Sequence, residues 1–145
     1  MNEEFSTENW FHNKLDDCIQ SNTEVLNALN QVIKNMELIV MQVIILLEGS
    51  KSASKLAGDY INPKDDKKLQ QALHEHVNSL NYVKNYCTTF FMGNMALISK
   101  LESGIYNDLS NNLDKYKQSL AVSISQVNTF MNKIETMKKE LNKYM

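Results

Sequence analysis

Histidine and cysteine are the residues of this chain best suited to metal binding or nucleophilic chemistry. His74 and His76 are separated by one residue, so on a helix their side chains point about 200° apart and cannot share one metal ion. Cys18 and Cys87 have no Cys-x-x-Cys partner, and no Glu-x-x-His or His-x-x-x-His spacing occurs. We therefore expect no metal and no cofactor. We interpret His76, at an apolar helix position, as a core histidine and not as a ligand.

Acidic pairs and glycine-rich loops give no better indication of an active site. Asp16–Asp17 and Asp65–Asp66 are adjacent in the sequence, so on a helix their carboxylates diverge instead of facing one substrate. No phosphate-binding glycine loop and no Gly-x-Ser-x-Gly motif is found. We expect a protein that is not an enzyme. The remaining catalytic alternative is a small helical enzyme with a polar cavity around His76.

Charge limits the classes of partner. All 15 basic residues are lysines, against 17 acidic residues, and the net charge is −2. This balance argues against a strongly basic nucleic-acid binder, and without arginine the chain has no planar fork for reading phosphate or guanine. Two lysine groups are interpreted as solvated helix faces, with contact to an anionic surface as the alternative: Lys64, Lys67 and Lys68, and Lys138, Lys139 and Lys143.

The first residues bear on localisation. The segment Met1–Ser6 has neither the basic nor the apolar region of a secretory signal. We expect a cytoplasmic protein, or one exported by a route that needs no signal peptide.

Apolar residues recur at alternating spacings of four and three in three long runs. Asn62-Pro63 is a helix start signal, and Gly49 and Ser103-Gly104 are stop signals. The pattern predicts helices over about 7–48, 63–102 and 105–144. The expected fold is all-α, an elongated up-down-up bundle of three long antiparallel helices forming a single domain over 1–145.

The first apolar run contains one polar member, Asn22. Antiparallel alignment of the first two helices places Asn22 level with Asn94 of the second run. The two amides are predicted to form a buried polar pair that fixes the register; the alternative is that each faces water at an end of the bundle. The same alignment separates Cys18 from Cys87 by roughly 15 Å, so both thiols are expected to be reduced. The run is: Phe11, Leu15, Cys18, Asn22, Val25, Leu29, Val32, Met36, Ile39, Val43, Leu46.

The segment Met36–Leu47 is apolar on every side. Four of its residues lie opposite the apolar stripe: Leu38, Met41, Ile44 and Ile45. It is shorter than the roughly 20 residues needed to cross a bilayer. Three alternatives could shield this segment from water. They are the 50–61 connector folding back as a short fourth helix, a second protein chain or second copy of this chain, and a membrane.

These observations favour a non-enzymatic α-helical interaction module, such as an adaptor, scaffold or complex subunit. It would act by packing the Met36–Leu47 helix face against a protein partner or against itself. The alternative is a secreted bacterial effector, toxin component or translocator-like helical protein that contacts membranes.

Overall fold

The helices of this protein pack as a three-helix bundle. A computed structural model describes residues 7–58, 62–103 and 113–145, and this part of the chain contains no strand. Its elements are α1 (Thr7–Ala57), a short 3₁₀ turn (Pro63–Asp65), α2 (Lys67–Glu102) and α3 (Leu113–Asn142). The predicted all-α, up-down-up architecture is confirmed. The predicted start of the third helix at residue 105 lies outside the described residues.

The direction of each helix follows from contacts at both ends of the bundle. Gln70 near the start of α2 donates to the carbonyl of Tyr144 after the end of α3, so these helices run antiparallel. Helix α1 runs parallel to α3, since Asp16 contacts Tyr116 near one end and Glu48 contacts Tyr144 at the other. Helix α3 approaches both other helices closely, whereas the backbones of α1 and α2 come near each other at few points.

The core is an apolar seam along the bundle. Burial of these side chains is the main favourable term holding the three helices together. The most deeply buried large side chains come from all three helices: Ile33, Leu73, Leu80, Leu101, Leu120, Ile134 and Leu141.

The buried face of α1 differs from the predicted stripe. Ile33 and Val40 are buried, whereas Val32, Ile39 and Leu46 of the predicted stripe are 41%, 44% and 72% exposed. Two neighbouring rows of α1 are both apolar. The row that contains Ile33 and Val40 faces both α2 and α3, and it therefore contributes to the core. The row next to it lies at the edge of the α1–α2 contact.

Helix α1 is longer than predicted: residues 50–57 of the 50–61 connector belong to it and do not form a separate fourth helix. Residues 59–61 of the connector lie outside the described residues. Helix α1 continues through Gly49 to Ala57. Gly58 takes the stop position instead: it has φ of +79° and donates its N–H to the carbonyl of Lys55. A left-handed glycine with this bond ends a helix, and Gly49 does not have that conformation.

The second helix starts later than predicted. Asn62 and Pro63 begin the 3₁₀ turn, where the Asn62 side chain accepts from the N–H of Lys64. Asp66 is the N-cap of α2, because its carboxylate accepts from the N–H groups of Lys68 and Leu69. The Asn-Pro signal therefore marks the turn that leads into α2.

Candidate functional site

An apolar surface covers the outer side of α1. Leu38, Met41 and Ile45, three of the four residues predicted to form an interface, are 56%, 54% and 62% exposed. Ile44, the fourth, is a correction: it is half-buried and packs against the core. Ile44 lies one turn after the buried Val40, which places it toward the inside of the bundle.

The exposed residues of α1 continue as a regular row that we call the outer stripe. Its members recur at spacings of four and three and are all exposed: Leu38, Gln42, Ile45, Gly49, Ser52 and Leu56. The last of these is 90% exposed. The sequence reasoning missed Leu56, because it ended the helix at residue 48. The recurrence of uncharged residues at helical spacing on both sides of Gly49 is the signal that could have found it.

The outer stripe carries no charge. The charged residues between Leu38 and Leu56 are Glu48, Lys51 and Lys55, and their spacing puts all three on another side of α1. Glu48 accepts a hydrogen bond from Tyr144 at the end of α3. The charges of this stretch therefore lie toward α3, away from the outer stripe.

A shallow apolar groove runs between α1 and α2 beside the outer stripe. It contains two adjoining cavities of about 190 Å³ and 290 Å³. His76 lines both, with Ile39 at the first and Leu46 at the second. The groove follows from the wide separation of α1 and α2, which leaves the side chains at its rim partly uncovered.

His76 is half-buried at the floor of this groove. The other polar side chains in the lining of the two cavities are Ser79 and Ser50, and no carboxylate lines either cavity. A histidine acting as a general base needs a partner to orient it and a polar pocket for substrate. The described lining of the two cavities supplies only two serine side chains as polar neighbours of His76.

The structure brings the two predicted amides together. Asn22 Nδ2 donates to Asn94 Oδ1 at 2.6 Å, and Asn94 Nδ2 donates to the carbonyl of Phe90 at 2.9 Å. Asn94 is buried and Asn22 is half-buried. The pair joins α1 to α2, two helices whose backbones come near each other at few points. Its role in setting the register stays a prediction.

The two thiols are separate and free. Cys87 is buried in the core and Cys18 is half-buried. Burial removes the thiolate of each from water and raises the pKa of both. A raised pKa lowers the thiolate fraction, so neither residue has the character of a reactive cysteine.

The lysines predicted to touch an anionic surface are only partly brought together. Lys64 and Lys143 line one cavity of about 450 Å³ at the end of the bundle, and Lys51 joins them. The sequence missed Lys51 because it lies on the unexpected extension of α1. Four predicted members do not line this cavity: Lys67, Lys68, Lys138 and Lys139.

Tyr144 lies in the same cavity at the end of the bundle. Its hydroxyl donates to Glu48, and this bond to a carboxylate, with partial burial, raises the pKa of Tyr144 to about 12. The phenol is therefore neutral at ordinary pH and ties the end of α3 to α1.

Within residues 7–58, 62–103 and 113–145, no three metal-ligating side chains form a cluster. Nor does any helix in those ranges combine the length and the hydropathy needed to cross a bilayer. Comparison with known proteins adds no relationship: no family model, curated protein or solved structure matches this chain.

Proposed function

We propose that this protein is a non-enzymatic helical interaction module that binds a partner helix through the outer stripe of α1. An adaptor, a scaffold and a complex subunit all act in this way. The observation that carries the proposal is the exposure of Leu38, Ile45 and Leu56, at 56%, 62% and 90%, in one uncharged row of α1.

The free energy gained by burying exposed apolar side chains favours a partner on this face. Full burial of a large aliphatic side chain contributes about 1.5–3 kcal/mol, so covering the remaining exposed area of several such residues contributes a few kcal/mol. An exposed apolar patch bordered by polar residues is typical of an interaction surface.

The chain does not cover this face with its own connector over the described residues. Residues 50–57 continue α1 as part of one unbroken helix instead of folding back on it. The intramolecular cover considered from the sequence therefore has no support from residues 50–57, which leaves a binding partner as the better explanation.

Affinity capture with a charged variant tests the proposal. A tagged chain carrying Leu38→Glu and Ile45→Glu is compared with the wild type in extracts of the native source by quantitative mass spectrometry. The matched control is Asn85→Glu with Asn128→Glu, which adds the same charge at exposed positions on α2 and α3. Circular dichroism checks that all three chains remain helical.

We expect the wild type and the control to retain the same partner, which can be an untagged copy of the chain, and the stripe variant to lose it. Equal capture by all three chains would show that the outer stripe is not the binding surface. Flotation with anionic liposomes separates the membrane-contacting alternative: flotation of the wild type but not of the stripe variant would replace a protein partner with a lipid surface.

A further inference from the structure

We propose that the partner of the outer stripe is a second copy of this chain, packed antiparallel about a two-fold axis at the level of Leu47. This inference rests on the proposed function, because it uses the same face of α1 and names what binds there. It also explains features of α1 that the single chain does not explain.

The residues of the outer stripe are complementary to their own reverse order. In the antiparallel register Leu38 lies opposite Leu56 of the second copy, and Ile45 lies opposite Gly49. Gln42 lies opposite Ser52, and both have side chains that can hydrogen-bond. Two-fold symmetry repeats each of these contacts, so all six positions of the stripe have a partner.

Gly49 is the most informative of these positions. A methyl group added at Gly49 would meet no atom of its own chain within 4 Å, and the residue lies inside a helix without a left-handed conformation. Glycine in a helix is destabilising relative to alanine, so internal packing gives no reason for it. In the antiparallel dimer, the Ile45 side chain of the second copy occupies the space that a side chain at position 49 would fill.

Charge placement also permits a contact between identical surfaces. Near a two-fold axis each group meets its own copy, so a charge in the centre of the contact would face a like charge. The outer stripe has none. Glu48, the charge nearest the axis, is held toward α3 by its bond to Tyr144.

Residues beside the stripe widen the contact toward the α1–α2 groove. Ile39 and Leu46, at the rim of the groove, are 44% and 72% exposed. In the antiparallel register Leu46 lies within two residues of the level of its own copy, and Ile39 lies within two residues of the level of Ala53 of the second copy, an offset of about 3 Å along the axis in each case. A parallel arrangement would instead place Gly49 opposite Gly49 and leave a gap between the two helices.

The first test is the mass of the purified chain in solution. Light scattering over a range of concentrations should show twice the 16.7 kDa chain mass for the wild type and for the Asn85→Glu/Asn128→Glu control. The Leu38→Glu/Ile45→Glu variant should show the mass of a single chain and unchanged helical circular dichroism.

The second test fixes the direction of the two helices. Cys18 and Cys87 are replaced by alanine, and chains carrying Leu38→Cys or Leu56→Cys are treated with a short bis-maleimide cross-linker. Mixed chains should form a 38–56 product. Each chain alone should remain uncross-linked, because identical positions lie about 27 Å apart along the helix axis, at 1.5 Å rise per residue.

The outcomes separate this inference from the proposed function. A single-chain mass for the wild type at every concentration overturns the second copy, and stripe-dependent capture would then leave a different protein as the partner. Cross-linking of each cysteine chain with itself, without the mixed product, overturns the antiparallel arrangement.

Discussion

Asn22 on α1 donates a hydrogen bond from Nδ2 to Oδ1 of Asn94 on α2, over 2.6 Å. Asn94 is 4% exposed, and its own amide nitrogen donates to a backbone carbonyl within α2. The carbonyl oxygen Oδ1 of Asn94 therefore depends on Asn22 for its hydrogen-bond donor. Sliding α1 by one residue along α2 would break this bond in an apolar setting, where an unpaired amide is destabilising.

Replacing one amide should therefore destabilise the bundle. We expect Asn22→Leu to lower the free energy of unfolding by about 1–3 kcal/mol, because it leaves the buried Oδ1 of Asn94 without a donor. Urea unfolding followed by circular dichroism measures the change.

The control for this effect is the double variant. Asn22→Leu with Asn94→Leu removes both polar groups and should recover most or all of the loss, as two apolar groups then pack together. Additive losses in the two single variants and the double variant would contradict direct coupling between the amides.

Two isoleucines of α1 should differ sharply when truncated. Ile33 is 1% exposed and Ile45 is 62% exposed. We expect Ile33→Ala to lower the free energy of unfolding by about 2–5 kcal/mol, because it leaves a cavity in the core. Ile45→Ala should change it by less than about 0.5 kcal/mol. Both are measured at protein concentrations where the unfolding midpoint no longer depends on concentration, and similar losses would show that the wrong face has been assigned to the core.

Two glycines of the same region should respond in opposite directions to alanine. Gly49→Ala should stabilise the single chain by roughly 0.5–1 kcal/mol, since the site is helical and has open space. Gly58→Ala should destabilise it by roughly 1–2 kcal/mol, because φ is +79° there. Thermal unfolding of dilute samples compares the two, and an unchanged melting temperature for Gly58→Ala would argue against a left-handed cap.

Glu135 should make stability depend on acid pH. Hydrogen bonds from Lys84 and Lys138 favour its charged form and lower the pKa of its carboxyl group. A lowered pKa in the folded state stabilises the protein above the unfolded pKa, and this contribution is lost as pH falls through the folded value. Glu135→Gln should therefore lower the melting temperature at pH 7, and the difference from the wild type should shrink toward zero in strong acid.

The opposite trend, a difference that grows in acid, would contradict the assigned ion pairs. Thr136→Ala is a suitable control for this measurement, because it changes an exposed neighbour on α3 whose hydroxyl donates to the backbone carbonyl of Asn132.

The sequence was sufficient for the helices and for one tertiary contact. Heptad spacing predicted three helices, and the alignment of layers placed Asn22 level with Asn94. The end of α1 was mispredicted because Gly49 and Gly58 are both plausible stops, and the free energy that separates glycine from other residues in a helix is only about 1 kcal/mol. Tertiary context, which the sequence alone does not supply, decides between them.

The candidate site was predicted in part for a related reason. Leu38, Met41 and Ile45 are exposed as expected, whereas Ile44 was placed on the wrong face. Three adjacent rows of α1 are apolar in this segment, so periodicity does not show which row faces α2 and α3 together. Lys51 was missed because its position beside Lys143 depends on the extension of α1.

The last turns of α1 pack little against the neighbouring helices. Residues 51–56 are almost all exposed, so this segment is helical mainly because it propagates from the packed turns before it. Its amide protons should exchange with solvent by fraying from the Gly58 end, much faster than those near Ile33, which need global opening. Any molecule that covers Leu56 would slow that exchange, so the exchange rate of this segment reports binding directly.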